Sequence, residues 1–295
     1  MLWGRIGRGA WGPAVEACPE GQAILLFLSW TRIEPQRGAF AQAELDRAAA
    51  ALSLARKRGI EPVICLHAKT MPDWQLARGG WLDPDVGAMW GCYVDRVLRD
   101  LGERVGVWLV FDGMIEEAAW YGPDQRVATR AMLDAHAAAW LLIHRGPGFG
   151  GRPPRVGGLE EEGEWLLSGG ARRRLQGMQR RQWTADRLAG MMATGKLAWP
   201  VSPVGELPNG SPCLDLWGLR WRGRYLLPDG PHHAEDEVAC GKALLRAWEH
   251  RRPLLLQGVS ESELHRALQA GVRVDFFFPG AAVVDSSHPG AAESW

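Results

Sequence analysis

The chain is poor in lysine and in every aromatic residue except tryptophan. Lys occurs only at positions 57, 69, 196 and 242, and there are 3 Tyr and 7 Phe against 16 Trp. A bias toward Ala, Gly, Arg and Trp of this kind reads most economically as a codon preference. Charge of one sign is also missing. Lys+Arg and Asp+Glu both number 34, so the net charge is +0 and nothing carries the basic excess that nucleic acid or an anionic membrane surface demands. The 5 Cys, at 18, 65, 92, 213 and 240, form no CxxC pair and no Cys/His cluster at metal-ligand spacing. That excludes a disulfide framework and a zinc ribbon, and leads to the expectation of reduced thiols in a cytoplasmic protein. Long hydrophobic runs are lacking too. The longest, AILLFLSW from 23, is too short to span a bilayer, and MLWGRIGRGAWGPAVEACPEGQ holds no signal-peptide core. The expected partner is therefore a small molecule, with no nucleic acid, no membrane and no cofactor; the oligomeric state is left open.

What is present is an ordinary globular mixture, 46% apolar and 23% charged over 295 residues, enough to bury a sizeable core. Short apolar runs alternate with helical patterns, the mark of repeated βα units around a parallel sheet. The candidate strands are MLWGRIG (1–7), AILLFLSW (23–30), EPVICLH (61–67), VGVWLVFD (105–112), PRVGGLEE (154–161), LDLWGLRW (214–221), RPLLLQGV (252–259) and VRVDFFFP (272–279). Amphipathic stretches lie between them at 42–59, 86–104, 130–145, 171–195 and 235–251. In the first of these Leu45, Ala49, Leu52 and Ala55 recur at helical spacing before Gly59 closes the element. Eight strands with interleaved helices predict an α/β fold, a single (β/α)8 TIM barrel over 1–295, whose functional residues lie at the C-terminal ends of its strands. Residues 8 to 22, rich in Gly, Pro and Ala, leave room for a shortened first crossover helix only.

The strand ends resemble those of the family-1 glycoside hydrolases, the β-glucosidase barrel. LFLSWTRIEPQRG (26–38), RGIEPVICLHAKTMPDWQLARGGWLDPDV (58–86) and GERVGVWLVFDG (102–113) follow one another as the family's SxSWxRIxPxG, GIxPxVTLxHWDxPxxL and WxTxNEP segments do. The similarity extends to MLWG at the start, to LDLWGLRW (214–221) and to GVRVDFFFP (271–279). Retaining glycosidases place two carboxyl groups about 5 Å apart, one as nucleophile and one as acid/base, because the transition state is protonated on one face and trapped on the other. The resemblance puts the acid/base at the end of the fourth strand, where this chain reads Asp112-Gly113-Met114. It puts the nucleophile on the seventh, where the run is Gln257-Gly258-Val259-Ser260. Glycine at 113 and 258 implies a degenerate glycosidase, and trimmed top-face loops imply a wider, drier mouth. His67 stands at the position of the family's glycone-binding histidine.

Replacement chemistry is sought at the same strand ends. Asp112, Glu160 and Glu161, with His67, are the catalytic candidates: carboxyls on adjacent strands raise one another's pKa by like-charge repulsion and burial, which suits a general acid or base. Trp120, Tyr121, Trp217, Arg220, Trp221, Gln257 and Phe277 are the substrate-binding candidates, the aromatics as flat walls of an apolar cleft. Asp215, at the closed end, is expected to hold the barrel together. His232 and His233, with Glu235 and Asp236, fit no metal motif and read as a solvated loop. The functional expectation is acid/base chemistry, such as cyclisation, isomerisation or elimination, on a hydrophobic small molecule, in bacterial specialised metabolism. The alternatives are a non-catalytic pseudoenzyme and a residual β-glycoside hydrolase using displaced carboxylates such as Glu116 or Glu161.

Overall fold

In the computed structural model the described residues are 1–7, 11–146, 148–167, 183–202, 205–227, 230–232 and 237–279. Each of the eight apolar runs forms a strand: β1 (Leu2–Gly7), β2 (Ala23–Phe27), β3 (Glu61–His67), β4 (Val107–Asp112), β5 (Arg155–Leu167), β6 (Leu216–Leu227), β7 (Leu254–Gln257) and β8 (Val274–Phe278). Every strand pairs in parallel with the next, β6 with β7 included, and β8 returns to β1, so the barrel closes without an edge.

Alternation along the strands divides their side chains between two cores. Ala23, Leu25, Val63, Cys65, Val107, Leu109, Leu159, Leu216, Leu255, Phe276 and Phe278 fill the interior. Their neighbours, Ile24, Ile64, Trp108, Val156, Trp217 and Phe277 among them, pack outward against the helices. An eight-stranded interior is just wide enough for side chains to fill, so the lower barrel is solid and chemistry is confined to its ends.

Among the described residues the α-helices of six residues or more are α1 (Trp11–Glu16), α2 (Gln42–Lys57), α3 (Val86–Leu101), α4 (Met114–Ala119), α5 (Gln125–His144), α6 (Ala185–Thr194), α7 (Glu237–Trp248) and α8 (Glu261–Gln269). The first crossover is the short one that the Gly/Pro-rich gap implied. Residues 171–182 of the fourth amphipathic stretch, and 235–236 of the fifth, lie outside the described residues, as do His233, Glu235 and Asp236.

Two expectations on element ends are corrected. β5 and β6 do not stop at Glu161 and Trp221 but run on as a pair, from Glu164 opposite Arg224 to Leu167 opposite Leu227, and a short antiparallel strand, Gly230–His232, adds to β6. The acidic run Glu160 to Glu162 therefore lies wholly within β5. α8 was not anticipated, although its start carries a capping box: the Ser260 hydroxyl accepts the Glu263 N–H and the Glu263 carboxylate accepts the Ser260 N–H.

Candidate active site

Four inward side chains meet at the C-terminal mouth of the barrel. On β6 the alternation that turns Leu216 inward continues through Gly218 to Arg220. On β5 it runs from Leu159 to Glu161. On β4 the register shifts between Leu109 and Asp112, so Val110 and Phe111 both join the outer layer and Asp112 turns in. Gln257 ends β7. Arg220 ties the group together: Nη2 donates to Asp112 Oδ2 at 2.9 Å, Nη1 to Glu161 Oε1 at 3.2 Å and Nε to Gln257 Oε1 at 3.0 Å. Arg220 and Asp112 are each only 9% exposed. Burial opposes the guanidinium's charge, but Asp112 and Glu161 outweigh it and hold the group more firmly protonated than a free arginine. Burial likewise pushes the Glu161 carboxyl up, but Arg222, donating through Nε at 3.0 Å, and Arg220 win and hold it below the usual carboxylate range. Asp112 Oδ1 is buried with no hydrogen-bond partner.

Both positions that the resemblance assigns to catalytic carboxylates disfavour a side chain, Gly113 through its backbone conformation and Gly258 through main-chain crowding as well. Gly113 has φ 78° and Gly258 φ 74°, in the left-handed region that disfavours any residue with a Cβ. A Cβ on Gly113 would stand 2.8 Å from Lys69 Cε and 3.0 Å from its Nζ; one on Gly258 would stand 2.8 Å from the carbonyl oxygen of Trp221. Lys69 thus reaches across the ground in front of the acid/base position, with its ammonium on the Glu116 carboxylate. It is itself left-handed, at φ 59°.

The remaining candidates are placed elsewhere. Glu160 points outward from β5 and accepts the N–H groups of Met114 at 2.6 Å and Ile115 at 3.3 Å, so it caps α4 from the neighbouring strand. Burial pushes its carboxyl up to about 8, with Asp112 adding to the shift and the two N–H groups and Lys69 opposing it. His67, expected at the mouth, is fully buried among Trp30, Trp81, Trp90 and Phe111. Its Nε2 lies 2.9 Å from the Glu117 carboxylate, which also accepts the Trp81 indole N–H at 2.7 Å. His67 and Glu117 therefore form a buried polar pair inside an aromatic box, joined through Nε2 while Nδ1 has no hydrogen-bond partner, and Glu117 escaped the sequence reading because nothing in a helix pattern marks one glutamate as buried.

The apolar cleft walls are corrected as well. Trp217 and Trp221 share the outward face of β6 with Leu219, and Phe277 packs outward with its ring 4.9 Å from that of Trp3. Trp120 is 63% exposed at the end of α4. Tyr121 is half-buried, and its hydroxyl accepts the Trp81 N–H at 2.9 Å. The mouth is charged rather than greasy. Among the described residues, no group of three or more His, Cys, Asp or Glu could hold a metal ion, and no helix is long and apolar enough to cross a membrane.

Comparison with known proteins agrees with this architecture. The family model described as glycosyl hydrolase family 1 matches residues 21–136, from β2 into α5. No curated protein matches the chain in sequence. Among solved structures, a β-glycosidase from Pyrococcus horikoshii superposes with a TM-score of 0.70 at 18% identity, over 88% of this chain and 71% of that one. A family 1 β-glucosidase from Thermotoga maritima gives 0.71 at 16% identity, over 87% of this chain and 72% of that one. The chain is thus similar to family 1 in sequence over that segment and in fold over most of its length.

Proposed function

We propose that this family-1 glycosidase-like barrel has lost two-carboxylate hydrolysis and performs acid/base chemistry on a small polar molecule at its mouth. The observation that carries the reading is Arg220, which ties Asp112 and Glu161 together where a retaining hydrolase would need one free carboxylate and one protonated carboxyl. The Glu161 carboxyl, held below the usual carboxylate range by Arg222 and Arg220, is a poor proton donor to a leaving group, and Asp112 is tied to the same guanidinium. The proton donor is then Lys69, whose left-handed backbone marks a strained residue of the kind that clusters at functional sites. Asp112 is the acceptor through Oδ1, which has no other partner. Removal of a proton next to a carbonyl, with Arg220 facing the oxyanion that forms, is an isomerisation or an elimination. The charged surroundings favour a polar substrate over the hydrophobic one expected from the tryptophans. A place in bacterial specialised metabolism belongs to the same reading.

Two assays test it. With an activated aryl β-glucoside no phenol is expected; steady release that disappears in Asp112→Asn would restore the hydrolase reading. In heavy water, a panel of small keto and hydroxy acids followed by proton NMR is expected to show one member taking up deuterium, with uptake lost in Asp112→Asn. A second reading, binding without catalysis, is favoured by the closed pairing of Arg220. A ligand that raises the melting temperature and is recovered without deuterium would establish it.

A further inference from the structure

The short first crossover has a counterpart on the outside of the barrel. α1 is 6 residues long and covers only part of the 16-residue α2 beside it. Between α1, the end of β2 and α2 lies a groove of about 450 Å³, within the range of small-molecule sites, roughly 300–1,000 Å³. We propose that this groove binds an apolar molecule with one anionic end, of the class of medium-chain carboxylates.

The walls supply the apolar half. Trp11, Phe27 and Ile33 line it, with Ala51 and Leu54 from α2. The Trp11 indole N–H donates to the Phe27 carbonyl at 3.2 Å, so that polar group is satisfied within the protein. The alanines of α2 leave the space that bulkier residues would fill. The rim supplies the charged half. Arg32 donates through Nη2 to both Glu44 oxygens at 3.0 Å, and Arg47 pairs with the same carboxylate. Two guanidiniums share one carboxylate, so the charged residues lining the groove carry a net charge of +1. An anionic end group would complete the pairing as a charge-assisted hydrogen bond while the chain lies on the apolar floor. The groove is separate from the Arg220 cluster and does not depend on the chemistry proposed there.

Isothermal titration of the full chain with octanoate tests the proposal. Saturable one-to-one binding is expected, about tenfold tighter than that of octanol. Ala51→Leu, which fills the groove, is expected to weaken octanoate by about tenfold or more. Arg32→Gln with Arg47→Gln, at the exposed rim, is expected to weaken octanoate by a similar factor and leave octanol unchanged. Absence of saturation in the unaltered chain, equal affinity for octanol, or wild-type affinity in the rim variant would each overturn the proposal. If Ala51→Leu fails to fold, the rim variant decides.

Discussion

Arg220 is the residue on which the mouth depends. Its guanidinium donates to Asp112, Glu161 and Gln257 at once, a geometry that a planar fork provides and a lysine cannot. Removing one member of a buried ion-pair group strands the others, so Arg220→Leu is expected to cost about 3–5 kcal/mol in urea unfolding, and Arg220→Lys to recover only part of that. Asp112→Asn together with Glu161→Gln in the Arg220→Leu background should restore stability, because the stranded charges are then gone. The two glycines predict the opposite of rescue. Gly113→Glu and Gly258→Glu, singly or together, are expected to release no phenol from an aryl glucoside. Each should lose at least about 1–2 kcal/mol to its left-handed backbone alone. At this scale the sequence was only half legible. Asp112, Glu161, Arg220 and Gln257 were all found as strand-end polar residues. His67 and the strand tryptophans were misplaced, because a strand of a parallel barrel is buried on both faces and its run of apolar letters does not say which face looks inward.

At the scale of elements, α4 begins on Gly113, which has no side chain to cap it, and β5 supplies the cap through Glu160. Glu160→Ala is expected to destabilise the chain by about 1–2 kcal/mol, as loss of a helix cap does, and Glu160→Gln to retain most of the stability because its amide oxygen still accepts. A second tie lies at the closed end of the barrel. Asp215 Oδ2 accepts the Val156 N–H at 2.9 Å and the Trp140 indole N–H at 3.2 Å and lies 3.0 Å from His144 Nε2, joining β5 and α5 to the residue before β6. The strands themselves were legible within a few residues, since apolar runs bounded by Gly and Pro mark them. The ends of β5 and β6 were not, because their continuation past the barrel reads as alternating charged and apolar residues that a loop also shows. α8 was missed although Ser260 and Glu263 spell a capping box, its nine residues being too few for a clear helical period.

At the scale of the whole molecule, His136 and Glu160 are, among the described residues, buried groups whose titration changes stability with opposite slopes, over windows that overlap between pH 4.5 and 6.5. His136 is fully buried, with Nε2 2.9 Å from the Cys213 carbonyl oxygen, and burial pushes it down to about 4 from the usual 6.5. The unfolded chain takes up that proton first, so stability is lost as pH falls from 6.5 to 4, by about 3 kcal/mol in all. Glu160 works the other way. The folded chain holds its proton up to about 8 while the unfolded chain releases it above 4.5, so its contribution is present at low pH and lost as pH rises from 4.5 to 8. In urea unfolding the two slopes are expected to offset each other between pH 4.5 and 6.5, with Glu160→Gln removing the decline towards pH 8 and His136→Gln the loss towards pH 4. Unchanged slopes in both variants would assign the profile to other groups. The closed barrel itself was the most legible feature of all, because eight strand signals with helices between them leave few other topologies.

The contact between Gly258 and the Trp221 carbonyl reaches beyond any single variant. One base change separates some glycine codons from glutamate, so mutation readily offers a carboxylate at this position. The offer fails, because the atom in its way, 2.8 Å from where the new Cβ would stand, is main chain, and no exchange of a neighbouring side chain removes it. The backbone acts as a barrier: variants of this chain can elaborate the charged mouth, but a carboxylate at position 258 requires rebuilding the path of β6.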